Sequence, residues 1–269
     1  MSQFDVLPKQ GNSAISTGEV PFELVPLPSA GKLYPEDHPY HNETHVEIKA
    51  MTALDEDILT SKALLKKGTV LSALVRSCLI NKSVEPNTLL LGDKSAILLS
   101  IRISGFGSEY KVQTQCPECG DEFVHSFDLS KVTIKPLQKD PIKVGQNLFE
   151  YKLPKSGKVV QFALLTEGDE LDITKTNENK KKAGLAATEA PVTDKLIKSI
   201  KKIDNVEDPG QIIKMVRTMS AYDSKSLRTH IRSIEPDVLF EQSVECPSCG
   251  TAENHIIPMG TEFFWPKWD

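Results

Sequence analysis

The chain has 269 residues, 39% of them hydrophobic and 26% charged, with a formal net charge of −5. This balance suits an ordinary globular protein long enough for two compact units, offers no apolar run near the roughly 20 residues that cross a bilayer, and lacks the basic excess with which nucleic-acid binders hold phosphates. Met1 to Asp5 has no cationic start leading into an apolar stretch, so the expectation is a protein that stays in the cytosol where it is made.

Residues 1–19 hold Gly11, Asn12, Ser13, Ser16, Thr17 and Gly18 with little hydrophobic period and read as a flexible arm. A first unit, residues 20–135, begins with a Pro/Gly turn from Leu27 to Gly31 and an alternating strand from Val46 to Met51. Three helices follow. Asp55 opens one, with Ile58, Leu64 and Leu65 on its apolar side, a second is capped near Thr69, and a third starts near Asp93 and carries Ile97, Leu98, Ile101 and Arg102. Cys78 falls on a helical apolar stripe and reads as core. Tyr110 to Gln115 alternates as a strand, delivers the knuckle Cys116-Pro117-Glu118-Cys119-Gly120, and is answered by a return strand from Phe123 to Phe127.

A second unit, residues 136–260, runs in the same order with a shorter hairpin, since Val159 to Leu164 directly follows the Gly157-Lys158 turn. Lys175 to Thr193, with Asn177, a lysine run at 180–182, Gly184 and Pro191, reads as an inserted loop or frayed helix end with its lysines solvated. Amphipathic helices are expected through Leu196, Ile197, Ile200 and Ile203, through Ile212, Ile213, Val216 and Met219 after Pro209-Gly210, and from Ser224 to Ile234. A strand from Leu239 to Val244 then leads to Cys246-Pro247-Ser248-Cys249-Gly250.

The two knuckles lie 130 residues apart, and the same shift lays Asp93 on Asp223, Ile101 on Ile231, Arg102 on Arg232, Tyr110 on Phe240 and His125 on His255. A shift of 126 lays Leu27 to Lys32 on Leu153 to Lys158, with Phe22-Glu23 and Phe149-Glu150 ahead of each. Landmarks in one order, separated by slightly different loops, are the mark of diverged tandem copies. The expected fold class is α+β, two tandem units that each combine a β-hairpin with helices and end in a zinc-knuckle β-ribbon.

Four cysteines in two C-x2-C turns of a reducing compartment point to metal before disulfides. Zinc takes four ligands in a tetrahedron, so Cys116, Cys119, Cys246 and Cys249 together would complete a closed site even at this separation, provided the units meet around a pseudo-twofold axis. Three alternatives stay open. His125 and His255, each following the last cysteine of a knuckle after five intervening residues, could build two separate three-ligand sites. The cysteines could hold no stable metal. They could also form redox pairs, although both knuckles lie between strand-like segments and lack the following helix of a thioredoxin-like motif.

Catalytic groups are not apparent. Gly31-Lys32 and Gly157-Lys158 lack the spacer and hydroxyl of a phosphate-binding loop and read as hairpin turns. Asp93 with Arg102, and Asp223 with Arg232, read as helix N-caps and last-turn cations. The rival classes are a zinc-ribbon nucleic-acid module, opposed by Glu118, Asp121, Glu122, Glu245 and Glu253 around the knuckles, and a metal- or thiol-dependent enzyme, which needs an open coordination position or an activated cysteine. Residues 261–269 form an aromatic tail whose Phe263, Phe264, Trp265 and Trp268 either fold onto the chain's own core or anchor a partner; their terminal position favours the partner.

Leu27 to Pro35, Ile48 to Thr52, Leu90 to Lys94, Arg102 to Tyr110 and the first knuckle form a set that resembles the baseplate hub assembly proteins of T4-like contractile-tailed phages. The resemblance is best over residues 24–130. The second half departs from it, with Tyr222-Asp223-Ser224 in place of the Gly-Asp-Lys segment and Ser233 to Pro236 in place of the Gly-rich stretch. It implies a non-enzymatic role in building the tail hub in the infected host's cytoplasm, other hub or tail proteins as partners, and a zinc-ribbon-like element.

Overall fold

The structure is a computed structural model that describes residues 22–182 and 190–264 together with the backbone of residues 9 and 10. It is α+β, with small antiparallel sheets and helices sharing one apolar core. Of the arm expected at residues 1–19, only strand β1 (Lys9–Gln10) lies within the described residues, where it pairs with β2 (Phe22–Pro26). Strand β3 (His45–Lys49) completes that sheet, setting Val25 opposite Val46 on its buried face.

Helix α1 (Ala53–Thr60) begins two residues before Asp55. Thr52 is its N-cap, and Asp55 is the third helical residue, taking hydrogen bonds from the Thr52 N–H at 2.8 Å and the Thr52 hydroxyl at 2.7 Å. Lys49 and the Ser77 hydroxyl bind the same carboxylate. Burial alone would raise the Asp55 carboxyl, but the bonds from Lys49, Ser77 and Thr52 outweigh it and hold the pKa at about 2 against an ordinary 3.8. A depressed carboxylate stabilises the fold above its unfolded pKa, and that contribution disappears as pH falls through the folded one. Asp55→Asn should therefore lose about 2 kcal/mol at pH 6 in urea unfolding. The difference from wild type should shrink between pH 4 and pH 2; a difference independent of pH would contradict this assignment.

The chain breaks at Ser61, so Leu64 and Leu65 sit on a separate short helix, α2 (Lys62–Lys67), with Leu64 half-buried and Leu65 exposed. Helix α3 (Val70–Cys78) follows the Thr69 cap and places Cys78 in the core as expected. Helix α4 (Leu91–Phe106) is the central element: Ala96 to Ile101 is buried without interruption, which fits a helix covered on all sides. Strands β4 (Glu109–Gln115) and β5 (Glu122–Asp128) form the first ribbon.

Strand β6 (Thr133–Lys135) leaves the first half and pairs with β10 (Asp237–Leu239) of the second, Ile134 opposite Val238. The hairpin of β7 (Phe149–Lys152) and β8 (Val159–Phe162) opens the second half. Of the stretch from Lys175 to Thr193, read as an inserted loop or a frayed helix end, residues 175–182 form the last turns of helix α5 (Glu167–Lys182). It lacks an apolar stripe, which hid it in the sequence. What holds it is charge: Glu170, Asp169 and Asp172 reach Lys195 and Lys198 on α6 (Pro191–Ser199), at 2.7, 3.5 and 2.9 Å.

Helix α6 also ends earlier than the apolar spacing suggests. Ile200 and Ile203 belong to strand β9 (Ile200–Ile203), which adds to β8 with Ile203 opposite Val160. A spacing of three and four fits a helix, but β-branched residues at a helix end convert readily to a buried strand. Helices α7 (Pro209–Arg217) and α8 (Ala221–Ile234) start at caps Asp208 and Ser220, leaving Met219 beyond α7. The expected strand from Leu239 to Val244 is interrupted at Phe240, so β10 pairs with the first half while β11 (Glu241–Glu245) and β12 (Ala252–Ile256) make the second ribbon.

Two contacts lock the halves. Gly92 on α4 packs against the backbone of Pro236 so closely that a Cβ there would lie 2.0 Å from the Pro236 carbonyl oxygen. Lys94 on α4 and Glu167 on α5 form a buried ion pair at 2.5 Å, with the Ser72 hydroxyl donating to Glu167 at 2.7 Å. Glu167→Ala should cost about 3 kcal/mol in chemical denaturation, because it strands the Lys94 ammonium in the interior. The double variant Lys94→Met, Glu167→Leu should regain most of that. If the single and double variants lose equally, burial of an unpaired charge is not the cause.

Candidate metal centre

Each knuckle is the same tight turn. The Cys116 N–H donates to the Asp121 carbonyl and the Gly120 N–H to the Cys116 carbonyl, both at 2.9 Å; Cys246 with Thr251, and Gly250 with Cys246, repeat this at 2.9 Å. Gly120 and Gly250 take φ of 75° and 73°, a left-handed conformation that glycine adopts without strain. The turns project both sulfurs of each pair to one side, and the two ribbons bring the pairs together.

The four Sγ atoms of Cys116, Cys119, Cys246 and Cys249 all lie within 4.8 Å of one another. Sulfurs from opposite knuckles are neighbours, Cys116 to Cys249 at 3.6 Å and Cys119 to Cys246 at 3.7 Å. A tetrahedron of about 2.3 Å metal–sulfur bonds has edges of about 3.8 Å, so the donor set fits a metal ion. Cys116 and Cys246 are buried, while Cys119 and Cys249 face outward. Ser248 of one knuckle donates to the Asp121 carboxylate of the other, tying the turns together beside the sulfurs.

Charge favours a cation here. Hydrogen bonds from Thr251, first through its hydroxyl and then its backbone, hold the Cys249 thiol down at about 6. Cys119 is pushed up to about 12: a backbone bond at Asp121 lowers it, but burial and the three neighbouring sulfurs outweigh that. Crowded thiols thus resist full ionisation until a divalent cation offsets the charge.

The histidines stand apart. Among the described residues the cluster able to hold a metal consists of the four cysteines alone. The ring of His125 packs edge-on against Phe127, and that of His255 lies 3.4 Å from the Thr114 hydroxyl and 3.8 Å from Glu253. Of the open alternatives, the geometry brings together the shared four-sulfur set.

The aromatic tail is divided. Phe263 and Phe264, expected at a partner surface, are instead fully buried in the chain's own core, where Phe263 meets Tyr110, Phe240 and Phe264 edge-on. Trp265 and Trp268 lie outside the described residues. The short helical turn Thr261–Phe264 that carries the phenylalanines is held by a residue whose role sequence reasoning missed. Arg102, read as a last-turn cation, is completely buried. Its guanidinium donates to three backbone carbonyls, those of Phe263 and Gly107 at 2.8 Å and Glu109 at 3.0 Å, and lies over the rings of Phe106, Tyr110 and Phe263. Arg232 is exposed, so the correspondence with Arg102 ends at the sequence.

Asp93 and Asp223 are not caps on their own helices either. Both are buried and reach back to the Pro/Gly turn of their own half: Asp93 accepts from the Ser29 N–H at 2.9 Å, and Asp223 from the Lys155 N–H at 2.8 Å.

No helix of the described residues is long and apolar enough to cross a membrane. A family model described as T4 bacteriophage base plate protein matches residues 22–265. No curated protein and no solved structure shows significant similarity to the chain.

Proposed function

The chain belongs to the T4 bacteriophage base plate protein family, and from that premise we propose that it is a non-enzymatic assembly factor or minor structural subunit of the tail baseplate hub. The observation that carries the reading is the family match across nearly the whole described chain. Its partners in this reading are other hub or tail proteins. It acts in the host cytoplasm during assembly and can remain in the virion baseplate.

In the same reading the metal is zinc, held by Cys116, Cys119, Cys246 and Cys249. When bound by four thiolates, zinc supplies a cross-link and leaves no position for water or substrate. The protein's own contribution is to aim two thiol pairs at one point from glycine-closed turns and to brace them through Ser248 and Asp121. We also read residues 20–135 and 136–260 as tandem units. The shared order of hairpin, helices and ribbon supports this, as do Asp93 and Asp223, each bonded to the turn of its own half.

Tagged protein produced in phage-infected cells tests the function. It should sediment with baseplate intermediates and bring down hub proteins, and mass spectrometry of purified particles then separates a subunit from a transient factor. Recovery without any tail component would overturn the reading.

A further inference from the structure

The two Pro/Gly turns are finished differently. Strands β2 and β3 are joined by residues 27–44, whereas β7 and β8 are joined by residues 153–158 alone. The longer connection folds back over its own turn: a Cβ on Gly31 would meet the Glu43 N and the Tyr40 carbonyl oxygen at 2.4 Å, while nothing lies within 4 Å of the same position on Gly157.

What the extra loop fills is specific. Tyr34 is buried, donates its hydroxyl to Asp93 at 2.7 Å and accepts from the Leu90 N–H at 3.1 Å. His38 stacks on Tyr34 with ring centres 4.4 Å apart and bonds the Thr88 hydroxyl at 2.9 Å. A shift of 130 turns Thr88, Leu90 and Asp93 into Thr218, Ser220 and Asp223. Those three residues, with Leu153, Met215 and Met219, line a hollow of about 340 Å³ beside the second turn. The second half therefore keeps the walls of the site and lacks the loop that fills it.

We propose that this hollow is a docking site for an acidic, tyrosine-bearing loop of a partner protein, whose phenol sits between Asp223 and Ser220 as Tyr34 sits between Asp93 and Leu90. Charge supports that occupant. The filling loop of the first half carries Glu36, Asp37 and Glu43, and the rim of the hollow presents Lys155 and Lys158, both exposed and without an ion pair among the described residues. Asp223 is bonded by the Lys155 and Ser156 N–H groups and by the Ser156 and Ser220 hydroxyls, a set like that of Asp93 with the Ser29 N–H and the Ser29 and Tyr34 hydroxyls, so an entering phenol takes the place that the Ser220 hydroxyl holds in the empty hollow. The inference rests on the pairing of the two halves, not on the baseplate assignment.

The test is fluorescence anisotropy with the full-length protein and a labelled peptide of residues 33–44, the segment that fills the first site. Saturable binding is expected. It should weaken about 10-fold for the Tyr34→Phe peptide, which loses the phenol's hydrogen bond. It should also fall sharply for the protein variants Thr218→Trp, which fills the hollow from an exposed position, and Lys158→Glu, both checked for unchanged melting. Absence of saturable binding, or binding indifferent to the phenol or to the filled hollow, would overturn the proposal. Self-association abolished by Thr218→Trp would assign the hollow to a second copy and overturn it equally. The measurement uses no tail component, so its failure and that of the baseplate reading are separate outcomes.

Discussion

Cys246→Ser is expected to lose its metal and most of its folded population together. Structural zinc contributes on the order of 10 kcal/mol to small folds at neutral pH, comparable with the whole stability of an ordinary domain. Here the ligands come from both halves of the described chain, Cys116 and Cys119 before β5 and Cys246 and Cys249 before β12. Elemental analysis of the purified wild type should give about one zinc per chain, and titration with a chelator should unfold it, followed by circular dichroism. Two zinc ions, one surviving in the variant, would favour separate sites that recruit His125 and His255. No metal at all would remove zinc from the account and leave the base plate family membership as it is.

The second large effect is expected at Arg102. Arg102→Leu should cost about 4 kcal/mol or more, because it leaves the buried carbonyl of Phe263 and the partly buried carbonyls of Gly107 and Glu109 without this donor and strips a large side chain from the core. Arg102→Lys should rescue little, since one ammonium cannot reproduce a planar fork aimed at three acceptors. Urea unfolding measures the loss, and limited proteolysis should show earlier cleavage around residues 258–264 in both variants. A change below about 1 kcal/mol for Arg102→Leu would mean that the clamp is incidental.

Local features were the legible ones. A C-x2-C turn closed by glycine declares itself within five residues, and Val46 to Lys49, the Thr69 cap and the Pro209 helix start carry their signals on the spot. What failed was whatever depends on distant partners. Ile200 and Ile203 keep helical spacing although β8 draws them into a sheet, and α5 shows no apolar stripe because its partners are Lys195 and Lys198 on the next helix. Arg102 and Asp93 sit where a helix places a last-turn cation and a cap, and only the chain folded over them shows what they bind. That the two knuckles share one site could be posed from their number, but choosing between it and the histidine alternative needed three dimensions.

The Arg102 clamp has a consequence for how the protein is made. Its Phe263 acceptor lies 161 residues downstream, so at about 5–20 residues per second the ribosome needs roughly 8–30 s after synthesising the arginine to supply that carbonyl. During this interval the first half has its charged side chain and the rings of Phe106 and Tyr110 in place but lacks the Phe263 ring and the Cys246 and Cys249 half of the thiol set. Early release of the nascent chain, or a nonsense codon before Phe263, should therefore give a species that fails in its N-terminal half as well as at its truncated end.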